Sequence, residues 1–245
     1  MLRKGIILGD THWVAGAPFH WSYRLAKKII QAAQPDFIVH IGDSLELSYL
    51  SSFNSGKQRL LEGHRLDADL KLFDKEMNWL EDQTERLYIL EGNHDERIQR
   101  VLDVDPIVEG LVELENTKII QDGGAQWVPL LEQPMKIGKL HFCHGWWAPQ
   151  YPAKKHLEAI GGSVVFGHTH RRSYWSTVRW ADNCELVSWG LACLTDIEPI
   201  WMKGKPSGWQ YDLAEVLFDG DDFVVNRIPI VAEKAIYGGK IWRRE

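Results

Sequence analysis

Cysteine is scarce in this chain: three residues in 245, Cys143, Cys184 and Cys193. An odd number with no paired spacing excludes a disulfide framework, and none of the three has the neighbours of a nucleophilic thiol. They read as reduced packing residues in or beside strand-like segments. Long apolar runs are also missing. No stretch of 18 apolar residues occurs, so no membrane-spanning helix is expected. The opening Met1-Leu2-Arg3-Lys4 leads into a strand-like run without a signal-peptide apolar region, and the expected location is cytoplasmic. Positive charge is not in excess either. A net charge of -6 argues against a general duplex binder, whose affinity rests on Lys and Arg contacts with phosphates. Basic spots are short: Lys154-Lys155, Arg171-Arg172, Lys203 to Lys205 and Arg243-Arg244. No repeat or low-complexity tract is present.

What the chain does have is a series of five short polar motifs: Gly9-Asp10-Thr11-His12, Gly42-Asp43, Gly92-Asn93-His94-Asp95, His144-Gly145 and Gly167-His168-Thr169-His170. Each follows an apolar, strand-like run: Gly5 to Leu8, Phe37 to Ile41, Leu87 to Leu90, Leu140 to Cys143 and Val164 to Phe166. Strand ends therefore deliver metal-type ligands to one rim. Asp10 and His12 are two apart just beyond a strand, so the departing loop can turn both onto one ion. His168 and His170 repeat the spacing. Asp43 supplies a carboxylate able to bridge two cations, Asn93 a neutral oxygen and His144 a further imidazole. Such a mixed nitrogen and oxygen set suits borderline or hard divalent ions, and no thiolate is present to select a soft one.

The order of elements predicts an α/β (α+β) architecture. Strand 4 to 9, helix 20 to 33 and strand 36 to 41 come first, with Pro35 separating the last two. A charged, helical excursion is expected at about 45–85, then strand 86 to 91 and helical stretches at 95 to 102 and 106 to 114. Strands dominate the remainder: 134 to 143, 163 to 167, 172 to 180, 185 to 189, and a hairpin of 209 to 218 with 222 to 230 about Asp219-Gly220-Asp221. Alternating βα units followed by a strand-rich half need two packed sheets with helices outside. Residues 1–245 are expected to form a single domain.

As an ordered set, the five motifs resemble the signature of the calcineurin-like metallophosphoesterases, a superfamily of phosphatases, nucleotide phosphodiesterases and repair nucleases, over about residues 3 to 190. The resemblance implies a four-layer α-β-β-α sandwich of two mixed sheets with two divalent metal ions at the sheet rim. Manganese is the expected metal, with iron, zinc or nickel as alternatives. Asp10, His12 and His170 would hold the first ion, Asn93, His144 and His168 the second, and Asp43 would bridge them. His94 would face the scissile phosphate as general acid and Asp95 would orient it. Two cations about 3.5–4 Å apart can share a water, lower its pKa and clamp phosphate oxygens during in-line attack by the resulting hydroxide.

Departures from the common pattern bear on substrate. Ser44-Leu45-Glu46 follows Asp43 where protein phosphatases of the superfamily carry an Asp-Arg pair, which disfavours a protein substrate. Arg171 or Arg172 can clamp a phosphate or carboxylate. Tryptophan is abundant, 12 of 245, and Trp13, Trp146, Trp147 and Trp189 flank motifs. They read either as a base-stacking rim, for which Trp13 and Trp146 are the candidates, or as packing between sheets. His64 is a candidate substrate contact within the excursion, while His40 and His141 read as core groups. The loop Lys203 to Trp209 reads as a hairpin connection or as a cover for substrate.

The resulting expectation is a di-metal phosphodiesterase for nucleotides or single-stranded nucleic acid, a nuclease among the possibilities. A phosphomonoesterase or pyrophosphatase for a small metabolite or lipid head group is the alternative. A non-catalytic scaffold of the same fold is a further one, opposed by the retention of His94 with every ligand position.

Overall fold

Period-two burial in the first strand sets out the layers. In Arg3–Leu8 (β1), Ile6 and Leu8 pack on one side with helical residues, and Ile7 packs on the other with the second sheet. The computed structural model describes residues 2–54, 56–57, 62–199 and 202–244. After β1 come Trp21–Ala33 (α1), Phe37–His40 (β2), Leu66–Glu81 (α2), Leu87–Leu90 (β3), Arg97–Val104 (α3), Lys118–Gln121 (α4) and Ala125–Val128 (β4). Then follow Met135–Ile137 (β5), Leu140–Cys143 (β6), Pro152–Ile160 (α5), Ser163–Phe166 (β7), Ser173–Arg179 (β8) and Cys184–Gly190 (β9). Tyr211–Asp219 (β10), Asp222–Ile230 (β11), Lys234–Tyr237 (β12) and Lys240–Arg243 (β13) complete the order.

Among the described residues, two large mixed sheets form, with strand orders β11-β10-β1-β2-β3-β4 and β5-β6-β7-β9-β8. Strands β1 to β4 run parallel, as do β6, β7 and β9, while β10 pairs antiparallel to β1. Parallel neighbours place their carboxyl ends on one rim, which is where the polar motifs begin. The inter-sheet layer holds Ile7, Val39, Ile41, Leu90, Phe142, Val165, Val216 and Phe218. Helices α1 and α2 cover the outer face of the first sheet through Leu25, Ile29, Phe73 and Met77. Helix α5 covers the second through Ala153 against Val164 and Phe166. The α-β-β-α sandwich is therefore as expected. No helix among the described residues is long and apolar enough to cross a membrane.

The differences lie in the connections. Among the described residues of the excursion, α-helix is confined to α2, with 3-10 turns at Ser48–Leu50 and Ser52–Asn54; residues 55 and 58–61 lie outside the described set. The expected helix at 106 to 114 is replaced by 3-10 turns at Pro106–Val108 and Leu114–Asn116, because Gly110, at φ +84, interrupts any helical run. The strand expected over 134 to 143 folds back at Gly138 into the antiparallel β5 and β6. Sequence patterning missed β4, the short α4, α5 and the β12-β13 hairpin. Pro152 in the first turn and the left-handed Gly161 that ends α5 are the signals that could have identified that helix.

Candidate metal centre

The site is assembled by loops that continue strand pairing past the strand ends. The amide of Asp10 donates to the Gly42 carbonyl at 3.0 Å and that of His12 to the Asp43 carbonyl at 3.0 Å, so the first two motif loops run side by side. Across the sandwich, the His168 amide lies 3.1 Å from Asp10 Oδ2, which ties the two sheets at the rim. The His94 amide donates to Asp43 Oδ1 at 2.8 Å. Gly92 permits this arrangement: a Cβ there would sit 2.1 Å from the Asp43 nitrogen and 2.3 Å from its Oδ1.

Five of the expected ligands occupy left-handed backbone: Asp10 (φ 50), His12 (φ 46), Asp43 (φ 50), His168 (φ 65) and His170 (φ 53). Such conformations cost on the order of 1–3 kcal/mol each in non-glycine residues and persist where the surroundings over-determine them. Aiming side chains inward from a tight turn is the effect obtained.

The donor atoms converge. Asp10, His12, Asp43 and His170 are all buried, and each brings a ligand atom within 4.8 Å of those of the other three. His12 Nε2 faces His170 Nε2 at 3.1 Å and lies 3.7 Å from Asp43 Oδ2. On the other side of Asp43, His144 Nε2 is 3.4 Å from Oδ2 and 3.0 Å from Asn93 Oδ1, which His168 Nδ1 also approaches at 2.7 Å. His144 Nδ1–H donates to the Ile41 carbonyl at 2.9 Å, leaving the Nε2 lone pair directed into the cluster. Asp43 thus stands between two groups of donors.

Electrostatics favours cations here. Burial pushes the Asp10 carboxyl up to about 8, against the pull of His144. Burial also opposes charge on Asp43, yet His144, His94 and His12 hold it well below its ordinary value. Burial depresses His144 but Asp43 and Asp10 outweigh it, lifting the imidazole to about 9. Protons on these groups compensate buried negative charge, the task a bound cation performs. The oxygen and imidazole donor set fits divalent metal ions of the borderline class.

His94 lines the cavity beside Asp43, whereas Asp95 occupies a different place from the one the motif suggested. The Asp95 carboxylate accepts the amides of Gly92, Ser44 and Leu45 at 3.0 to 3.2 Å and so fixes two loops. It has no recorded contact with the His94 ring. That ring is held by Glu46: Nδ1 is 2.9 Å from the Glu46 carbonyl and 3.4 Å from Oε2, and Oε2 also lies 2.9 Å from His12 Nδ1. Burial lowers the His94 pKa, but Asp43 and Glu46 raise it further, leaving it above its ordinary value. Glu46 was not among the sequence candidates; its signal was a carboxylate three residues after the bridging aspartate.

The four candidate substrate contacts lie elsewhere. Trp13 is 3% exposed and packs with Phe19, Tyr23 and His40. Trp146 stacks on His156 and abuts Trp147. His64 stacks on Tyr49, and Arg171 donates weakly to the Pro149 carbonyl at 3.5 Å. None of them lines the cavity over the ligand cluster. That cavity, about 370 Å3, is lined by His12, Asp43, His94 and His168 and also by Val14, Asp196 and Trp209. Of the other readings, His40 is buried as expected, His141 is only partly so, and Cys143 and Cys193 are buried free thiols pushed up by burial.

The model of the calcineurin-like phosphoesterases matches residues 5–172, and the chain belongs to that family. Its fold is similar to solved structures of vacuolar protein sorting 29. The protein from Cryptosporidium parvum has 14% identity and a TM-score of 0.50, with 98% of this chain and 94% of that chain covered. Vps29 from Entamoeba histolytica has 11% identity and a TM-score of 0.48 over 98% and 96%. Among curated proteins no match is found.

Proposed function

We propose that this chain is a di-metal phosphodiesterase acting on nucleotides or single-stranded nucleic acid. The observation that carries the reading is the convergence of two donor groups on one carboxylate. Asp10, His12 and His170 would hold one ion, Asn93, His144 and His168 the other, and Asp43 both. Bound divalent ions would supply the positive charge that acidifies a shared water and binds non-bridging phosphate oxygens.

The remaining chemistry falls to the chain's own residues. His94 lines the cavity beside Asp43. Its Nδ1–H donates to the Glu46 carbonyl, so Nε2 is the atom able to pass a proton to the leaving oxygen, a general-acid role worth typically 10²–10⁴-fold. Glu46 positions that ring and, through His12 Nδ1, one ligand of the first group. Val14, Pro199 and Trp209 supply the apolar part of the cavity lining. Manganese remains the metal proposed.

The reading is tested by hydrolysis of bis-p-nitrophenyl phosphate against p-nitrophenyl phosphate, with manganese and with excess chelator. Diester turnover abolished by chelation supports it. A faster monoester rate moves the assignment to a phosphomonoesterase, and binding of metal without turnover of either moves it to a scaffold.

A further inference from the structure

The cavity lining carries features that the ligand cluster does not explain. Trp209 is held against the site from two directions. Its ring lies 4.1 Å from that of His170 at 65°, and the next residue, Gln210, donates its amide to the His170 carbonyl at 2.9 Å while its side-chain oxygen accepts the Arg172 amide at 3.0 Å. The Trp209 amide is further fixed by Ser207 Oγ at 2.9 Å. An aromatic side chain is thus anchored on the lining of the cavity that the candidate ligands share.

Charge on the cavity lining is one-sided. Among the described residues lining the cavity, none is Lys or Arg, whereas Asp43, Glu46 and Asp196 are acids. Arg97, the nearest guanidinium to motif three in sequence, is turned to the Glu46 carbonyl at 2.7 Å. A ligand with several phosphates needs cations for each beyond the one held at the metals. Asp196, exposed and with Oδ1 accepting the Glu198 amide at 2.9 Å, adds negative charge to that lining. A planar group with an N–H donor meets instead an aromatic face and a carboxylate.

We infer that Trp209 and Asp196 form a base subsite, which makes the substrate a diester carrying one phosphate and one nucleoside, with the base against Trp209 and a base N–H donated to Asp196. This rests on the phosphodiesterase reading and narrows it by excluding polyphosphates and long polyanionic strands.

The test compares two esters with the same leaving group, thymidine 5′-(p-nitrophenyl) phosphate and methyl p-nitrophenyl phosphate, on the manganese-loaded full chain. Trp209→Ala is expected to lower the ratio of their kcat/KM values by about 5–150-fold, the range for loss of one base stack. Trp209→Phe, which keeps a ring, should recover most of it, and metal content should not change. The 3-methylthymidine ester, lacking the N3 proton, should be poorer than the thymidine ester in the parent protein by about tenfold or more, and equal to it in Asp196→Ala. Titration with thymidine 5′-monophosphate gives a second readout, with Kd weakened in Trp209→Ala. If Trp209→Ala slows both esters equally or strips metal, Trp209 is only a support for His170 and the inference fails. Hydrolysis of both esters without preference would also overturn it while leaving the phosphodiesterase reading intact. Nucleotide binding sensitive to Trp209 without any hydrolysis would do the reverse.

Discussion

Substituting Gly92 by alanine tests how tightly the site depends on backbone contact between two motif loops. The added methyl carbon would stand 2.1 Å from the Asp43 nitrogen, 2.3 Å from its Oδ1 and 2.9 Å from its Cα, against an ordinary contact of 3.4 Å or more. The obstacle is backbone, so no side-chain rotation relieves it, and the second and third motif loops must separate by about 1 Å. Overpacking of this kind costs about 1–3 kcal/mol of stability. The functional loss is larger, because a displacement of about 1 Å at a reacting centre can cost on the order of 10²-fold in rate. Gly16→Ala is the comparison. Gly16 has φ +81 with open space around it, so alanine there costs roughly 1–2 kcal/mol of backbone strain without touching the cluster. Urea unfolding, bound-metal analysis and diester turnover on both variants separate the effects. The expected result is comparable stability loss in both, with metal content and kcat/KM reduced only in Gly92→Ala. Retention of metal and of rate within about threefold in Gly92→Ala would refute the argued contact.

Other residues give independent outcomes. Glu46→Gln removes a carboxylate from both His94 and His12; since Glu46 helps raise the His94 pKa, the alkaline limb of the pH–rate profile should move to lower pH, and an unmoved limb would separate Glu46 from His94. Trp13→Ala should cost about 3–5 kcal/mol in chemical denaturation, the value for a buried aromatic, with no selective effect on nucleotide substrates; near-wild-type stability would contradict its placement in the core. Asp212 accepts the Ala192 amide at 2.7 Å and lies 3.2 Å from Arg227 Nε, and burial lifts its carboxyl from 3.8 to about 6 against the pull of Arg227. The folded state then holds this proton more tightly than the unfolded one, so Asp212 contributes a stability that is present below pH 4, falls by on the order of 3 kcal/mol as pH rises through 4 to 6, and is level above that. Stability of Asp212→Asn measured over the same window should lack that fall, and an unchanged slope would refute the assignment.

Legibility in the sequence tracked the length of the pattern each feature depends on. The strands that carry motifs were readable because their apolar runs are continuous, as expected for parallel strands buried on both faces, and because a glycine or a ligand follows each within two residues. The ligand cluster followed from those ends. Segments held by tertiary contacts left weak local signals: β4 is four residues long and only partly buried, and β12 and β13 pair mainly with each other. The residues lining the cavity were hard to read for a related reason. Closeness in sequence to a ligand was taken for closeness in space, yet Trp13, next to His12, packs into the helix layer against Phe19 and Tyr23 after the left-handed turn at His12. Trp209, remote in sequence from every motif, reaches the cavity because the end of its loop bonds to His170. The adjacency of Asp95 to His94 misled similarly: its carboxylate turns back to loop amides while Glu46, from the second motif, meets the ring.

The central claim is that Asp43 joins two ion sites. Metal stoichiometry of the parent chain and of Asp43→Asn, by equilibrium dialysis and elemental analysis with manganese, tests it most directly. The account predicts about two ions per chain in the parent, loss or marked weakening of both in Asp43→Asn, and diester hydrolysis that disappears with the metal on chelation and returns when it is restored. One ion or none in the parent, two tightly held ions in Asp43→Asn, or undiminished turnover in excess chelator would contradict it.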